Sequence, residues 1–272
     1  MAVMKKSPLY IIALLLLVFT GYPFLYMIST SLKTQGDFFE KPFSLFSSFN
    51  FSNYTSVFEM GISHYFFNSL IISVAAVVIV MFIAALASYP LSRMKFKFNR
   101  PLFLLFISGM MLPIHATLIP IFKLTQSMGI YDTLWALLGP YIAFSLPISI
   151  FILTQFMQEI PKSLEEAAEM DGCTPFGIFW RVILPMLTPA LMTVFIYNMI
   201  HLWNEFIFAL VLLSSPENRT IPLGLQDFYG EFSVNVPGLM AALTLFSLPI
   251  LVVYFFTQEK VVKGLAGGSV KG

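Results

Sequence analysis

The sequence predicts an all-α integral membrane protein with six transmembrane helices. Three observations carry this. Hydrophobic residues make up 58% of the 272 positions and charged residues only 11%, whereas an ordinary soluble domain carries about 25% charged residues. Six separate stretches are apolar enough to cross a bilayer, which takes about 20 residues of helix. The cations also concentrate in alternate loops between those stretches, as the positive-inside rule requires.

The spans are expected at about 9–30, 64–90, 101–122, 133–157, 189–213 and 236–258. The first follows Lys5 and Lys6, as a signal peptide would. Its apolar run continues through Tyr22-Pro23-Phe24-Leu25 to Ile28, however, and no small-residue cleavage site follows, so a retained first helix is expected. The second carries Asn68, Ser69 and Ser73, and the fourth Ser145 and Ser149. These side chains could offer hydrogen bonds to a pathway, but serine is common in membrane helices. The third holds His115 beside Pro113, where a packing histidine is the simpler reading. Pro23, Pro113, Pro120, Pro140, Pro147 and Pro249 are read as kinks, because neighbouring helices can satisfy the backbone groups they free.

Six spans return both termini to one side. Lys5, Lys6, Arg93, Lys95, Lys97, Arg100, Lys162, Arg181, Lys260, Lys263 and Lys271 share that side, against Lys33, Lys41, Lys123 and Arg219 on the other. Both ends and the 158–188 loop are therefore expected to be cytoplasmic, and 31–63 and 214–235 external. The external segments contain Asn-x-Ser/Thr triplets at Asn50, Asn53 and Asn218, a weak signal for glycosylation.

Composition and motifs exclude several function classes. A net charge of +1 argues neither way about nucleic acid, but no Lys/Arg run of the kind that grips phosphates is present. One cysteine, Cys173, and three scattered histidines support neither a disulfide nor a Cys/His zinc site. No G-x-x-x-x-G-K-[ST] loop is present. Gly264, Gly267, Gly268 and Lys271 near the end copy such a loop in composition only, so no nucleotide or other cofactor is expected on this chain. H-E-x-x-H and G-x-S-x-G are also missing, which leaves no catalytic constellation and no metal site.

The 158–188 loop is a polar island between apolar spans. Pro161 ends what precedes it. Ser163 with Glu166 three residues on suggests a capping box. On a helical wheel Leu164, Ala167, Ala168 and Asp171 share one side, and Glu165, Glu166 and Glu169 the other. Gly172 supplies a helix end, and Thr174-Pro175 starts a second, apolar helix that stops near Pro185. Two short helices meeting at a glycine suit a docking surface, although an interfacial hairpin without a partner has the same pattern.

Inside the bilayer, ionisable residues are functional candidates. Asn198, His201 and Glu205 fall on one face of the fifth span, with Asn204 to its side, and His201 and Glu205 are spaced to pair. This stripe either lines a solute path or joins helices; the sequence does not choose.

The spacing Glu166-Ala167-Ala168, three residues, Gly172, nine residues, Val182, one residue, Leu184-Pro185 resembles the EAA loop of bacterial ABC importer membrane subunits, with Val where the family has Ile. Asp171-Gly172-x-Thr174-Pro175, Trp203-Asn204-Glu205-Phe206, Ile221-Pro222-Leu223-Gly224-Leu225 and the end from Lys260 resemble the carbohydrate branch and its smaller, six-span subunit. The resemblance implies a type I ABC importer transmembrane domain, residues 1–272 forming one permease domain in a bacterial inner membrane. It implies a second permease subunit, a cytoplasmic ATPase dimer that holds ATP and Mg, and an external or periplasmic sugar-binding protein delivering a sugar, with an oligosaccharide expected. Glu166, Ala167, Ala168, Asp171 and Gly172 would couple to the ATPase, and Leu184 and Pro185 would anchor the loop. A permease for another small polar solute is the alternative. So is a self-sufficient secondary transporter, although Glu205 is the only intramembrane carboxylate it could use for ion coupling.

Overall fold

A computed structural model describes residues 7–229 and 234–269, and side-chain surroundings for 9–229 and 234–255. Lys5, Lys6 and Lys271 lie outside the described residues, as do the side chains of Lys260 and Lys263. The chain sorts into two compact units, Met1–Phe66 with Gly224–Pro249, and Phe67–Leu223 with Ile250–Gly272.

In the first unit, α1 (Ser7–Ser31) is continuous through Pro23, and its N-terminal half, from Leu9 to Phe19, is exposed. A helix that is apolar all round and unburied suits lipid. Two short helices follow, α2 (Gln35–Glu40) and α3 (Ser52–Glu59). Thr34 and Asp37 form a reciprocal capping box at α2. Lys33, counted as an external cation, is fully buried, and its ammonium donates to the carbonyls of Lys41 and Pro42 at 2.9 and 3.0 Å. Burial lowers its pKa from the usual lysine value, with Asp37 opposing. Asn53 donates to the carbonyls of Ser31 and Lys33, so its amide ties this segment together rather than standing free for a glycan.

The second unit holds most of α4 (Ile62–Arg93), then α5 (Asn99–Ser108), α6 (Ile114–Ser127), α7 (Trp135–Glu159), α8 (Ser163–Met170), α9 (Pro175–Met186), α10 (Thr188–Trp203) and α11 (Ile207–Leu212). A short turn, α12 (Ile221–Gly224), precedes the last helix, α13 (Val236–Ser269). Its apolar part is Val236–Phe255, and the helix continues past the expected end of the sixth span into the glycine-rich segment.

Two expected spans are corrected. The third, 101–122, is not one kinked helix. Asn99–Met111 and Ile114–Ser127 meet at 95°, so Pro113 ends a helix where a kink was expected. Leu112 and Pro113 are both extended, as the residue before a proline prefers. The turn also packs tightly: a Cβ on Gly109 would lie 3.0 Å from Cγ of Pro147. The fifth, 189–213, is interrupted at Asn204–Phe206, between α10 and α11. The remaining prolines within helices, Pro23, Pro90, Pro120, Pro140, Pro147 and Pro249, leave them continuous.

The core of the second unit joins Ala84, Ala85 and Tyr89 of α4, Ile150, Leu153 and Met157 of α7, and Val194 of α10 to Ala168, Ile178, Phe179 and Ile183 of the loop. Hydrogen bonds sort its ends. At one end Arg93 reaches the carbonyl of Ile160. At the other, Asn68 donates to the carbonyls of Glu217 and Arg219, Ser69 accepts from the Ile221 amide, and Asp132 accepts from the Ser214 and Ser215 amides.

Candidate functional site: a surface helix and an intramembrane cavity

The loop helix α8 begins earlier than its sequence suggests. The first backbone bonds run to the carbonyls of Pro161 and Lys162, and no side chain caps the end. The Ser163/Glu166 capping box does not form, because Ser163 already lies inside the helix. The other end is a Schellman turn. Gly172 has φ +81°, its N–H bonds to Glu169 and that of Cys173 to Ala168, both at 2.9 Å. Thr174 then caps α9 by accepting from the Gly177 amide.

The rod is rotated relative to the wheel reading. Ala168 is 9% exposed and belongs to the core, while Ala167, Glu166 and Asp171 are exposed and Met170 is 89% exposed. Glu165, expected on the wet side, points inward: its Oε1 lies 2.6 Å from Nε of Arg93. These two atoms form an ion-pair contact without hydrogen-bond alignment. Arg93 instead donates from Nη2 to the Ile160 carbonyl at 2.7 Å. A buried cation at the end of α4 thus draws the acidic side of α8 inward. Neither Arg93 nor Glu165 stood out in the sequence, where Arg93 was one cation among several.

The second loop helix, α9, is held by Ile178, Phe179 and Ile183, and by Leu187 just after it, all buried. Leu184 is half-buried and Pro185 is exposed. Pro185 offers no N–H and its ring crowds the carbonyl four residues back, and the chain opens into a π-turn over Phe179–Ile183 in which the Leu184 amide bonds to Phe179.

Asn198, His201, Asn204 and Glu205 all line one cavity of about 560 Å³. Tyr141, Phe144 and Tyr197 line it too. These aromatics were missed, because among 30 Phe and 11 Tyr composition singles out none. His201 and Glu205 do not pair. The helix stops at Trp203, so the four-residue spacing no longer places them on one turn. Glu205 caps α11 instead, accepting from the Phe208 amide at 2.7 Å and the Ala209 amide at 3.2 Å, and from the Tyr141 hydroxyl at 2.9 Å. His201 packs on Tyr197, ring centroids 4.3 Å apart. Asn198 is buried and donates to Ser149 and to the Val194 carbonyl, so it joins α10 to α7 as well as bordering the cavity. Asn68 and Ser69 serve the loop at 217–221 and lie away from this cavity.

A family model described as "Binding-protein-dependent transport system inner membrane component" matches residues 80–267. A Caldicellulosiruptor sp. (strain Rt8B.4) protein named for the ABC transporter permease ORF2 is 48% identical over 251 residues, 92% of this chain and 91% of that one. The diacetylchitobiose uptake system permease protein DasC of Streptomyces coelicolor is 36% identical over 262 residues, 96% of this chain and 95% of its own. Among solved structures, a bacterial ABC transporter involved in import of the acidic polysaccharide alginate superposes with a TM-score of 0.79, at 24% identity and over 95% of both chains, a likeness of fold.

Proposed function

This chain belongs to the family of binding-protein-dependent transport system inner membrane components, and from that membership we propose that it is the permease subunit of an ATP-driven importer of sugars, oligosaccharides in particular. The relatives named for diacetylchitobiose and arabinooligosaccharides support the substrate class. The whole chain acts as one permease domain beside a second permease subunit, with both termini in the cytoplasm. A sugar-binding protein delivers the solute from outside. A cytoplasmic ATPase dimer binds ATP and Mg and does the hydrolysis.

The observation that carries the coupling role is the construction of α8. Its inner face is fixed by Ala168 in the core and Glu165 against Arg93, while Glu166, Ala167, Met170 and Asp171 remain open. A helix one face of which is clamped to the bundle moves with the bundle. Force applied by an ATPase to the open face therefore reaches α4 and α7, and Gly172 sets the bend into α9. The 560 Å³ cavity supplies what half a sugar path needs, aromatic faces beside hydrogen-bonding groups.

The test is reconstitution with the second permease, ATPase and binding protein, measuring uptake of labelled oligosaccharides and ATP hydrolysis together. Uptake that needs all partners, and that Tyr197→Ala reduces without lowering thermal stability, supports the reading. Uptake by this chain alone, driven by an ion gradient, would overturn it in favour of a secondary transporter.

A further inference from the structure

Beside α8 lies an open groove of about 610 Å³ whose lining includes Arg93, Lys95, Lys97, Asn99, Arg100 and Lys162, and no carboxylate. Lys95, Lys97, Arg100 and Lys162 are exposed, and among the described residues none of the four forms an ion pair. Arg93 is spent on Ile160 and Glu165 and forms the closed floor. Four unpaired cations facing one concavity repel one another, and an anion seated there relieves that cost.

We infer that this groove is a binding site for the headgroup of an anionic phospholipid. The position of the turn names the source of the anion. Residues 94–98 connect α4, a long apolar span, to α5, whose Leu102, Leu104 and Leu105 are exposed. Both flanks are lipid-facing, so the turn between them sits in the headgroup layer. It also stays there: Asn99 donates to the carbonyls of Pro90, Leu91 and Met94 at 2.8–3.2 Å, closing the turn against the end of α4. Within it, exposed Met94, Phe96 and Phe98 alternate with Lys95 and Lys97. Lys97 lies over the Phe98 ring, 5.8 Å from its centroid. Apolar side chains entering acyl chains while cations meet phosphates is the pattern of an interfacial lipid contact.

Lys162, on the far lip, immediately precedes α8. A phosphate bridging Lys162 to Lys95, Lys97 or Arg100 ties the start of that helix to the membrane surface. This consequence rests on the coupling role proposed for α8. The lipid site itself does not, and it can be tested without transport.

The full chain in detergent is titrated with phosphatidylglycerol and, separately, with phosphatidylcholine of the same acyl chains, and retained lipid is counted by native mass spectrometry. Retention of phosphatidylglycerol over phosphatidylcholine is expected. Lys95→Gln with Lys97→Gln and Arg100→Gln should abolish the preference, at about fivefold per cation near a headgroup. The charge-keeping set Lys95→Arg, Lys97→Arg and Arg100→Lys should preserve it, which separates loss of charge from misfolding. Equal retention of both lipids, or an unchanged preference in the glutamine variant, overturns the site. Full displacement by inorganic phosphate shows a soluble-anion site and also overturns it. So does occupancy of the groove by the ATPase, read as loss of bound phosphatidylglycerol when the purified complex assembles. In the assembled importer, phosphatidylglycerol should raise coupled uptake in the wild type and leave the glutamine variant unchanged.

Discussion

Arg93, the last residue of α4, and Glu165, in the first turn of α8, approach to 2.6 Å with side chains only 5% and 13% exposed. The pair joins a spanning helix directly to the loop proposed to couple to a partner. The Ile160 carbonyl accepts a hydrogen bond from the same guanidinium, so one side chain holds both the end of α7 and the start of α8.

Removing one member of such a pair leaves the other buried and uncompensated, at a cost of roughly 3 kcal/mol. Arg93→Ala should lower the thermal midpoint of the purified protein and weaken the coupling of ATP hydrolysis to uptake. The double replacement Arg93→Met, Glu165→Met should recover much of the stability while coupling stays impaired. Thermal melts in detergent and coupled uptake assays decide both halves. If the single variant melts at the wild-type temperature, the clamp contributes nothing.

Gly172 and Ala168 are held by geometry that other residues do not fit. At φ +81° a proline is excluded by its fixed negative φ, and a glutamate at 168 would carry charge into the core. Gly172→Pro and Ala168→Glu should each reduce uptake by about tenfold while the protein still inserts and ATP hydrolysis continues. Fully coupled transport in both variants would contradict the role given to α8.

Asp132 ties its loop to residues 214–218 at the opposite end of the unit. It accepts from the Ser214 and Ser215 amides and from the Ser215 hydroxyl, while its own carbonyl accepts from Asn218. Burial raises its pKa, but the bonds from Ser215 and Ser214 outweigh this and hold the carboxyl below its usual range. A depressed pKa stabilises the folded loop above the unfolded value, about 4, and that contribution is lost as pH falls through the lowered one. Hydrogen exchange at 213–218 should therefore accelerate in that acid window in the wild type. In Asp132→Asn it should be fast already at neutral pH, with the acid step gone. An acid step that survives in the variant assigns the titration elsewhere.

Glu205 holds the start of α11 and the Tyr141 hydroxyl together. Glu205→Ala strands two amides and a phenol and should cost about 2 kcal/mol. Tyr141→Phe should cost about half as much, and the pair should be less than additive because they share a bond. A double-mutant cycle in thermal unfolding measures this, and strict additivity would show the bond to be idle.

Much of this arrangement was readable from local pattern. The four continuous spans, the Gly172 helix end and the Thr174-Pro175 restart each depend on residues within a few positions of one another. The errors came where distant contacts decide. Pro113 and Pro120 look alike in sequence, yet one ends a helix and the other does not. Gly109, pressed against Pro147 of α7, lies beside the first of them. Glu205 was placed on a helix that stops two residues before it. Asn53 and Asn218 fit a glycosylation triplet, but their amides bridge backbone.

By itself the sequence determined that the chain is an apolar, helical membrane protein and which loop carries the EAA-like pattern, because apolar run length and motif spacing are properties of neighbouring residues. Only the tertiary structure decided which face of α8 is open, that Arg93 rather than a capping serine fixes it, and that Tyr141 and Tyr197 share a cavity with Glu205. Those facts depend on side chains far apart in sequence, 67 residues in the case of Arg93 and Ile160, and a periodic pattern carries no record of which distant partner its inner face will meet.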